Sequence, residues 1–270
     1  MGEHPRYEPG TFCWAGLATS DPYRAKAFYT ALFGWEFEDL PGGDAGIYTL
    51  LRRDREDVAI LYRQTAEARS AGAPPHWTSY ISVEDAAATA ARAGELGGAA
   101  VFRHPFEVLD AGRVVAVRDP RGAIVSLWQP RSRVGATVVN EVSAMCWNEL
   151  ATDDVERAKS FYGDLFGWEY QTDRSGYTTI RCTGRLNGGM YEKVRQGQPS
   201  TRWLPYFGVG SADNAASRAG QLGGRQLGSA WRVPSGRSAL LVDPQGAAFA
   251  VLEVSVSAGS GLTTALDGDR

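Results

Sequence analysis

The sequence predicts an α+β protein built from two similar halves. Residues 13–36 and 146–169 are identical at 16 of 24 positions with a constant offset of 133, which indicates an internal duplication. Hydrophobic residues recur with a period of two in some segments and at helical spacing in others. The length of 270 residues also suits two domains of about 130 residues each. We therefore expect each half to contain two units in which a strand and a helix are followed by further strands.

The duplication spans the whole of both halves. The later landmarks that recur are Leu96-Gly97-Gly98 with Leu222-Gly223-Gly224, Gly112-Arg113 with Gly236-Arg237, and Asp119-Pro120 with Asp243-Pro244. A polar connector at 129–135 marks the join, and a tail rich in Ser and Gly follows Val256. These limits predict an N-terminal domain over 9–131 and a C-terminal domain over 139–256.

The first unit begins with a predicted strand at 12–19 and a predicted helix after it. Asp21 can cap this helix, Pro22 suits its first position and Gly34 ends it. Its apolar stripe is predicted from Tyr23, Ala27, Phe28, Ala31 and Leu32. The second half repeats the pattern from Asp154 to Gly167, with Phe161 and Leu165 on the buried side. The aromatic residues of both FYxxLFGWE segments are therefore expected in the core.

The remaining elements of the first half follow in order. The predicted elements are strands at 46–52, 58–63 and 77–83, a helix at 86–96, and a hairpin that joins 113–118 to 123–128. The hairpin turn reads Asp119-Pro120-Arg121-Gly122, with the residue types that a type I turn prefers. The segment Asp243-Pro244-Gln245-Gly246 repeats this turn in the second half.

The composition excludes several classes of protein. The apolar fraction is 43% and no run of about eighteen apolar residues could cross a bilayer. The net charge of −3, without a basic stripe, argues against a nucleic-acid partner. The polar start at 1–10 lacks a signal peptide, and the three cysteines form no Cys-x-x-Cys pair. We expect a cytoplasmic protein without disulfides, zinc site or membrane segment.

The motif LAT-x-D-x-x-RAK-x-FY-x-x-LFGWE occurs twice, and a D-P-x-G hairpin lies near the end of each half. In these motifs the chain resembles the vicinal-oxygen-chelate superfamily of glyoxalases, bleomycin resistance proteins and extradiol dioxygenases. It is most similar to two-module actinobacterial members described as hydroxylases or glyoxalase-like antigens. The resemblance covers nearly the whole chain. It implies tandem glyoxalase-like modules, each of two βαβββ units whose strands form a cup around a ligand, with helices outside.

The resemblance also implies where a divalent metal would bind. The family's ligand positions carry Trp14, Thr78 and Ser126 in the first half, and Trp147, Leu204 and Ala250 in the second. None of the six is a His, Asp or Glu, which are the usual ligands of such a metal. The three histidines, His4, His76 and His104, are interpreted as surface or turn residues. We therefore predict no metal and no cofactor.

Strand alternation predicts which side chains line the two cups. The first cup is predicted to be lined by Phe12, Trp14, Thr78, Tyr80, Ser82, Ser126 and Trp128, and the second by Met145, Trp147, Glu149, Leu204, Tyr206, Ala250 and Leu252. Of these, all except Ser82 and Ala250 are predicted ligand-binding residues. Such walls suit a flat, partly aromatic molecule. The alternative for Trp14 and Trp147 is that their indoles simply pack and plug the cups.

Glu149 is the acidic exception on an otherwise apolar strand face. A carboxyl group there can act as a general base or anchor a ligand hydroxyl, together with Tyr206 as a second proton-handling group. The alternative is an acid at the cup rim that pairs with a nearby arginine. Cys13 and Cys146 occupy one repeat position and are interpreted as buried apolar residues, not nucleophiles.

Three functions are compatible with these residues. The first is metal-independent binding of a hydrophobic or aromatic metabolite or antibiotic, for resistance, sequestration or detoxification. The second is a metal-free isomerase, cyclase or lyase of secondary metabolism that uses Glu149 and Tyr206. The third is a metal-dependent lyase of glyoxalase type, which the missing ligands disfavour. The small-molecule ligand is the expected partner, and the protein is expected to be a monomer or a homodimer.

Overall fold

The computed structural model describes residues 7–42, 46–102, 105–193, 201–233 and 236–254. The elements of the first half are β1 Phe12–Thr19, α1 Pro22–Phe33, β2 Glu36–Pro41, β3 Ile47–Arg53, β4 Glu56–Arg63, α2 Ala66–Ser70, β5 His76–Ser82, α3 Ala86–Glu95, β6 Ala99–Ala100, β7 Phe106–Val108, β8 Gly112–Arg118 and β9 Ile124–Pro130. Those of the second half are β10 Met145–Thr152, α4 Val155–Phe166, β11 Glu169–Thr172, β12 Thr178–Cys182, β13 Arg185–Glu192, β14 Arg202–Val209, α5 Ala212–Gln221, β15 Arg225–Val233, β16 Gly236–Val242 and β17 Ala248–Glu253.

The described strands form one sheet in each half. The first has the order β2-β3-β4-β1-β5-β9-β8-β6, with β7 also on β8, and the second the order β11-β12-β13-β10-β14-β17-β16-β15. Both sheets are mixed, because β1 pairs with β4 and β10 with β13 in parallel while the hairpins pair antiparallel. Each sheet thus contains two βαβββ units. The predicted duplicated α+β fold is confirmed.

The chain also divides into two compact units that combine segments of both halves. Unit 1 comprises the residues up to Trp14, Thr78–Gly135 and Trp147–Leu204. Unit 2 comprises Ala15–Trp77, Ala136–Cys146 and the residues from Pro205 onward. Each unit therefore holds most of one βαβββ unit from each half of the sequence.

The predicted capping interactions are present at the first helix of each half. The carboxylate of Asp21 accepts a hydrogen bond from the Arg24 amide at the start of α1, and that of Asp154 accepts one from the Arg157 amide at the start of α4. Gly34 ends α1 with a φ of 71°, a left-handed conformation that glycine adopts without steric cost.

The predicted stripe of α1 is partly wrong. Tyr23 is 81% exposed, and Ala27 and Ala31 are exposed as well. The buried residues are Ala25, Phe28, Tyr29 and Phe33. Phe28 is buried in both orientations. The helix is rotated from the predicted one, because burying Tyr29 and Phe33 removes more apolar surface from water than burying Tyr23 and two alanines.

A buried chain of hydrogen bonds stands at the core of each unit. In unit 2, Trp77 Nε1 donates to the hydroxyl of Tyr29 at 2.8 Å, and that hydroxyl donates to Asp243 Oδ2 at 3.1 Å. In unit 1, the equivalent residues Trp203, Tyr162 and Asp119 form the same chain, with distances of 2.7 and 3.0 Å. Tyr29 and Asp243 come from opposite halves of the sequence, as do Tyr162 and Asp119. The chains therefore tie the two halves together within each unit.

The two aspartates of these chains are those of the D-P-x-G turns. Asp119 Oδ1 accepts hydrogen bonds from the amides of Arg121 and Ala123, while its other oxygen serves Tyr162. Asp243 makes the equivalent contacts. Burial raises the pKa of both carboxyl groups, and their amide and tyrosine hydrogen bonds oppose that rise. The aspartate of each turn motif is thus part of the core.

Candidate ligand site on the second sheet

The predicted lining of the first cup is filled by its own side chains. The indole of Trp14 packs edge-on against Trp128 and Tyr80, with ring centroids 5.5 and 6.3 Å apart. All three rings are at most 4% exposed. The predicted lining residues Thr78, Ser82 and Ser126 are buried as well. Gly112 gives Trp128 its space, because a Cβ there would lie 2.7 Å from the indole. Packing is therefore the better interpretation of Trp14.

Phe12 is a core residue of unit 1. Its ring lies 4.9 Å from that of Trp203 and 5.5 Å from that of Trp168, and its amide donates to Asn187 Oδ1. The strand alternation that groups Phe12 with Trp14 does not account for these partners, which come from the second half of the sequence. The ring of Phe12 thus packs on aromatic residues of the second half of the sequence.

The second sheet differs from the first at the same repeat positions. Along β10, Trp147 and Glu149 are partly exposed, while Asn148 and Leu150 between and beyond them are buried. Leu204 on β14 is also partly exposed. The predicted alternation is thus present, and it leaves an indole and a carboxylate accessible.

Tyr177 joins Trp147 to Glu149. Trp147 Nε1 donates to the Tyr177 hydroxyl at 3.0 Å, and this hydroxyl donates to Glu149 Oε1 at 2.9 Å. All three residues lie in unit 1. The sheet therefore carries a third Trp–Tyr–carboxylate chain, and this one is partly exposed where the other two are buried.

Tyr177, which immediately precedes β12, is not among the site residues predicted from the sequence. The signal for it is the pair Gly188-Gly189 inside β13, since glycine in a strand often marks the close approach of another group. A Cβ on Gly189 would overlap the Tyr177 hydroxyl and lie 2.5 Å from its Cζ. The phenol ring can lie over β13 because Gly189 carries no Cβ.

The charges of Glu149 and Arg202 act on the pKa values of two neighbouring tyrosines. Burial and, next, the negative charge of Glu149 raise the pKa of Tyr177, so its hydroxyl stays neutral and keeps its proton. Tyr191, 37% exposed, has its pKa raised by burial and by Glu149, while the positive charge of Arg202 acts in the opposite direction. A carboxylate and a guanidinium therefore both act on the hydroxyl of this exposed tyrosine.

The remaining predicted residues of the second half lie mostly in the interior of unit 2. Met145, Tyr206 and Ala250 are at most 4% exposed, and Leu252 is partly exposed. Tyr206 pairs in register with Ala250, and its carbonyl accepts a weak hydrogen bond from Cys146 Sγ. Glu149 and Tyr206, the predicted proton-handling pair, belong to unit 1 and unit 2 respectively.

The side chains at the six family positions do not suit a divalent metal. The indoles at 14 and 147 offer an N–H donor and no lone pair, and Leu204 and Ala250 offer no donor atom. Within the described ranges no three His, Cys, Asp or Glu side chains are grouped as metal ligands would be. His76 is exposed, with Nδ1 2.9 Å from the Pro74 carbonyl, and His4 and His104 lie outside the described residues.

Four βαβββ units in two mixed sheets place the chain in the class of tandem βαβββ proteins. The model of the Glyoxalase/Bleomycin resistance protein/Dioxygenase superfamily matches residues 11–127, and that of the Glyoxalase-like domain matches 144–252. The chain therefore belongs to the Glyoxalase/Bleomycin resistance protein/Dioxygenase superfamily. The predicted family is confirmed.

Similar proteins span nearly the whole chain. CFP32 of Mycobacterium tuberculosis, which carries the name glyoxylase, is 38% identical over 260 residues, which cover 94% of this chain and 98% of its own length. The anthracycline biosynthesis protein DauV of Streptomyces sp. strain C5 is 32% identical over 262 residues, which cover 92% of this chain and 95% of its own.

Solved structures of low sequence identity share the fold. The 2,3-dioxygenase LapB of Pseudomonas sp. KL28 has a TM-score of 0.62 at 14% identity and covers 96% of this chain and 98% of its own. The Mn(II)-bound glyoxalase of Novosphingobium aromaticivorans has a TM-score of 0.61 at 14% identity, with 94% and 86% covered. In the described part of the chain, none of the helices is both long and apolar enough to span a membrane.

Proposed function

We propose that the protein binds a small aromatic metabolite on its second sheet, without a metal ion. The observation that carries the proposal is the partly exposed chain of Trp147, Tyr177 and Glu149. An indole provides a large surface for an aromatic ring, and a carboxylate beside it can fix the orientation of a polar substituent.

The internal repeat shows that the Trp147–Tyr177–Glu149 hydrogen bonds are not required by the shared fold. The two buried chains occur at equivalent positions in both halves, so the shared fold accounts for them. The third has no counterpart, because the offset of 133 places Gly16 where the second half has Glu149. A polar side chain that the duplicated scaffold does not require is a candidate for function.

The relatives support an aromatic ligand from secondary metabolism. DauV and DnrV, at 32% and 31% identity, are both named as anthracycline biosynthesis proteins. Binding would serve resistance, sequestration or detoxification. We place this activity in the cytoplasm, where the three buried free cysteines would stay reduced.

Isothermal titration of the full-length protein, treated with a chelator, against a panel of aromatic metabolites that includes anthracyclines tests the proposal. We expect a dissociation constant below the millimolar range for one or more compounds. The Glu149→Gln variant should bind about tenfold more weakly, because a hydrogen bond to a charged group is lost. Glu169→Gln is the matched control, since Glu169 is an exposed residue of β11 in the same unit.

Two results would contradict the proposal. One is a panel without a binder tighter than millimolar. The other is a stoichiometric transition metal in the purified protein, held by the side chains at the family positions, which would restore the glyoxalase-type interpretation.

A second candidate is a metal-free isomerase, cyclase or lyase. It is favoured by the hydrogen bond that Glu149 accepts from neutral Tyr177, since a general base must be held in one orientation. Glu149 would take the proton of the substrate. Turnover by chelator-treated protein that is lost in Glu149→Gln, while ligand binding is kept, distinguishes this enzyme from a binding protein.

A further inference from the structure

The indole N–H of Trp14 differs from those of the other tryptophans. Six tryptophans donate to an oxygen atom of the protein at 2.7–3.0 Å; they are Trp35, Trp77, Trp128, Trp147, Trp168 and Trp203. Trp231 is 37% exposed and can donate to solvent. Trp14 is 2% exposed, and its Nε1 atom has no acceptor within the described part of the chain.

A buried donor without an acceptor is unfavourable. An indole N–H can only donate, and burial removes the water with which it pairs in the unfolded chain. Folded proteins therefore give nearly every such group a partner, either a protein atom or an ordered water molecule. Since the other indoles follow this rule, we expect Trp14 Nε1 to have a partner that is not a protein atom.

The internal repeat explains why the protein supplies no acceptor here. In the second half, the Tyr177 hydroxyl accepts from Trp147 and the phenol ring lies over Gly189. The strand registers make Tyr48 the equivalent of Tyr177, and Ile60 the equivalent of Gly189. A branched side chain thus stands where the second half leaves space for a phenol. The arrangement that serves Trp147 is therefore not repeated in the first half.

The packing around Trp14 limits the size of its partner. The indole packs edge-on against Trp128 and Tyr80, with ring centroids 5.5 and 6.3 Å away. All three rings are at most 4% exposed. Close packing of such large rings favours a partner of very few atoms over an aromatic compound.

The surroundings of Trp14 are polar but uncharged. Thr78 and Ser126 belong to the same predicted lining and are 6% and 4% exposed, and Ser126 pairs in register with Tyr80. Hydroxyl groups both donate and accept, which suits the further hydrogen bonds of a buried water molecule. None of the predicted lining residues of the first cup is charged at neutral pH, so an ion would be buried there without a counter-charge.

We propose that Trp14 Nε1 donates to one buried water molecule on the first sheet, which is also held by a hydroxyl group of the same lining. This water satisfies the indole where the protein provides no oxygen atom. The inference goes beyond the proposed function, because it concerns the first sheet and does not depend on whether the second sheet binds an aromatic compound.

A crystal structure of the full-length protein tests the inference directly. We expect one ordered water molecule at about 2.7–3.2 Å from Trp14 Nε1, with a lining hydroxyl as a further partner. A protein oxygen atom within that distance would overturn the inference. So would an N–H group directed at the ring face of Trp128 with no water beside it, because a weak contact with the π-system would then be its only partner.

Nuclear magnetic resonance provides an independent readout in solution. In isotope-labelled protein each tryptophan gives one indole N–H signal, and the signal that is lost in Trp14→Phe identifies Trp14. We expect cross-relaxation between this proton and a long-lived water molecule. Trp168 is the matched control, since it is 4% exposed and donates to the Gly10 carbonyl at 2.8 Å, so its indole proton should show no such transfer.

Two results in solution would contradict the inference. One is the absence of transfer from water to the Trp14 indole proton. The other is equal transfer to Trp14 and Trp168, which would indicate opening of the surrounding structure and not a bound water molecule. If Trp14→Phe does not fold, the crystal structure of the unmodified protein decides alone.

Discussion

The hydroxyl of Tyr29 donates a 3.1 Å hydrogen bond to Oδ2 of Asp243, a residue 214 positions further along the chain. The same hydroxyl accepts a hydrogen bond from Trp77 Nε1. Tyr162 and Asp119 repeat the relationship at 3.0 Å. A tyrosine of one half thus satisfies the turn aspartate of the other half in each unit, where burial would otherwise leave a carboxylate oxygen without a partner.

Tyr29→Phe should lower the free energy of unfolding by about 1–3 kcal/mol. The variant removes the hydroxyl that serves two buried partners, Trp77 and Asp243, and leaves both without a hydrogen bond from this residue. Urea denaturation followed by tryptophan fluorescence measures the change. Tyr23→Phe is the control, since Tyr23 is 81% exposed and should change the same quantity by less than about 0.5 kcal/mol. Equal losses in the two variants would contradict the importance of the buried chain.

The stability of the protein should depend on the ionisation of Asp243. Burial raises the pKa of this carboxyl group in the folded protein above the value of about 3.9 expected for an unfolded chain. Its contribution to stability is therefore fully present below the unfolded-state pKa and is lost as the pH rises through the folded-state pKa.

Asp243→Asn cannot ionise and should lack this dependence. Its free energy of unfolding, relative to that of the parent protein, should rise as the pH increases from about 3.5 into the range above the folded-state pKa of Asp243. Denaturation at a series of pH values measures the difference. A constant difference, or one that falls with increasing pH, would show that the pKa of Asp243 is not raised.

Two glycines at the end of α3 should respond to alanine in opposite directions. A Cβ on Gly98 would lie 2.7 Å from the Arg118 carbonyl oxygen and 2.9 Å from the ring of Phe161, so Gly98→Ala should cost about 1–3 kcal/mol of stability. A Cβ on Gly94 meets nothing within 4 Å, and Gly94→Ala should stabilise by about 0.5–1 kcal/mol through helix propensity. Urea midpoints of the two variants test the pair, and a shift of the same sign in both would be the contrary result.

The thiols should be unreactive in the native protein. Cys13 and Cys146 are buried, and burial raises the pKa of both, so little thiolate forms at neutral pH. Cys182 is also buried, and burial raises the pKa of its thiol as well. Titration with Ellman's reagent at pH 8 should detect all three thiols only after addition of denaturant. A fast-reacting thiol in the native state would show that one of these sites opens or is exposed.

The duplication, the capped helices and the strand alternation could all be predicted from the sequence alone. Asp21, Pro22 and Gly34 act through backbone groups within a few residues of themselves, so their effects can be predicted without the rest of the fold. The alternation of Trp147 and Glu149 with buried neighbours follows in the same way from the geometry of one strand.

The tertiary structure alone decided which of these side chains meet. Tyr177 reaches Glu149 across β13, over Gly189. Phe12 packs on Trp203, which lies far along the chain. Tyr29 of α1 donates a hydrogen bond to Asp243 of the other half. Such partners depend on how distant segments pack, and close packing leaves room for one arrangement that a one-dimensional pattern does not specify. The same physical reason explains why Trp14 and Trp128 are buried on the first sheet while Trp147 and Glu149 of the second sheet stay partly exposed.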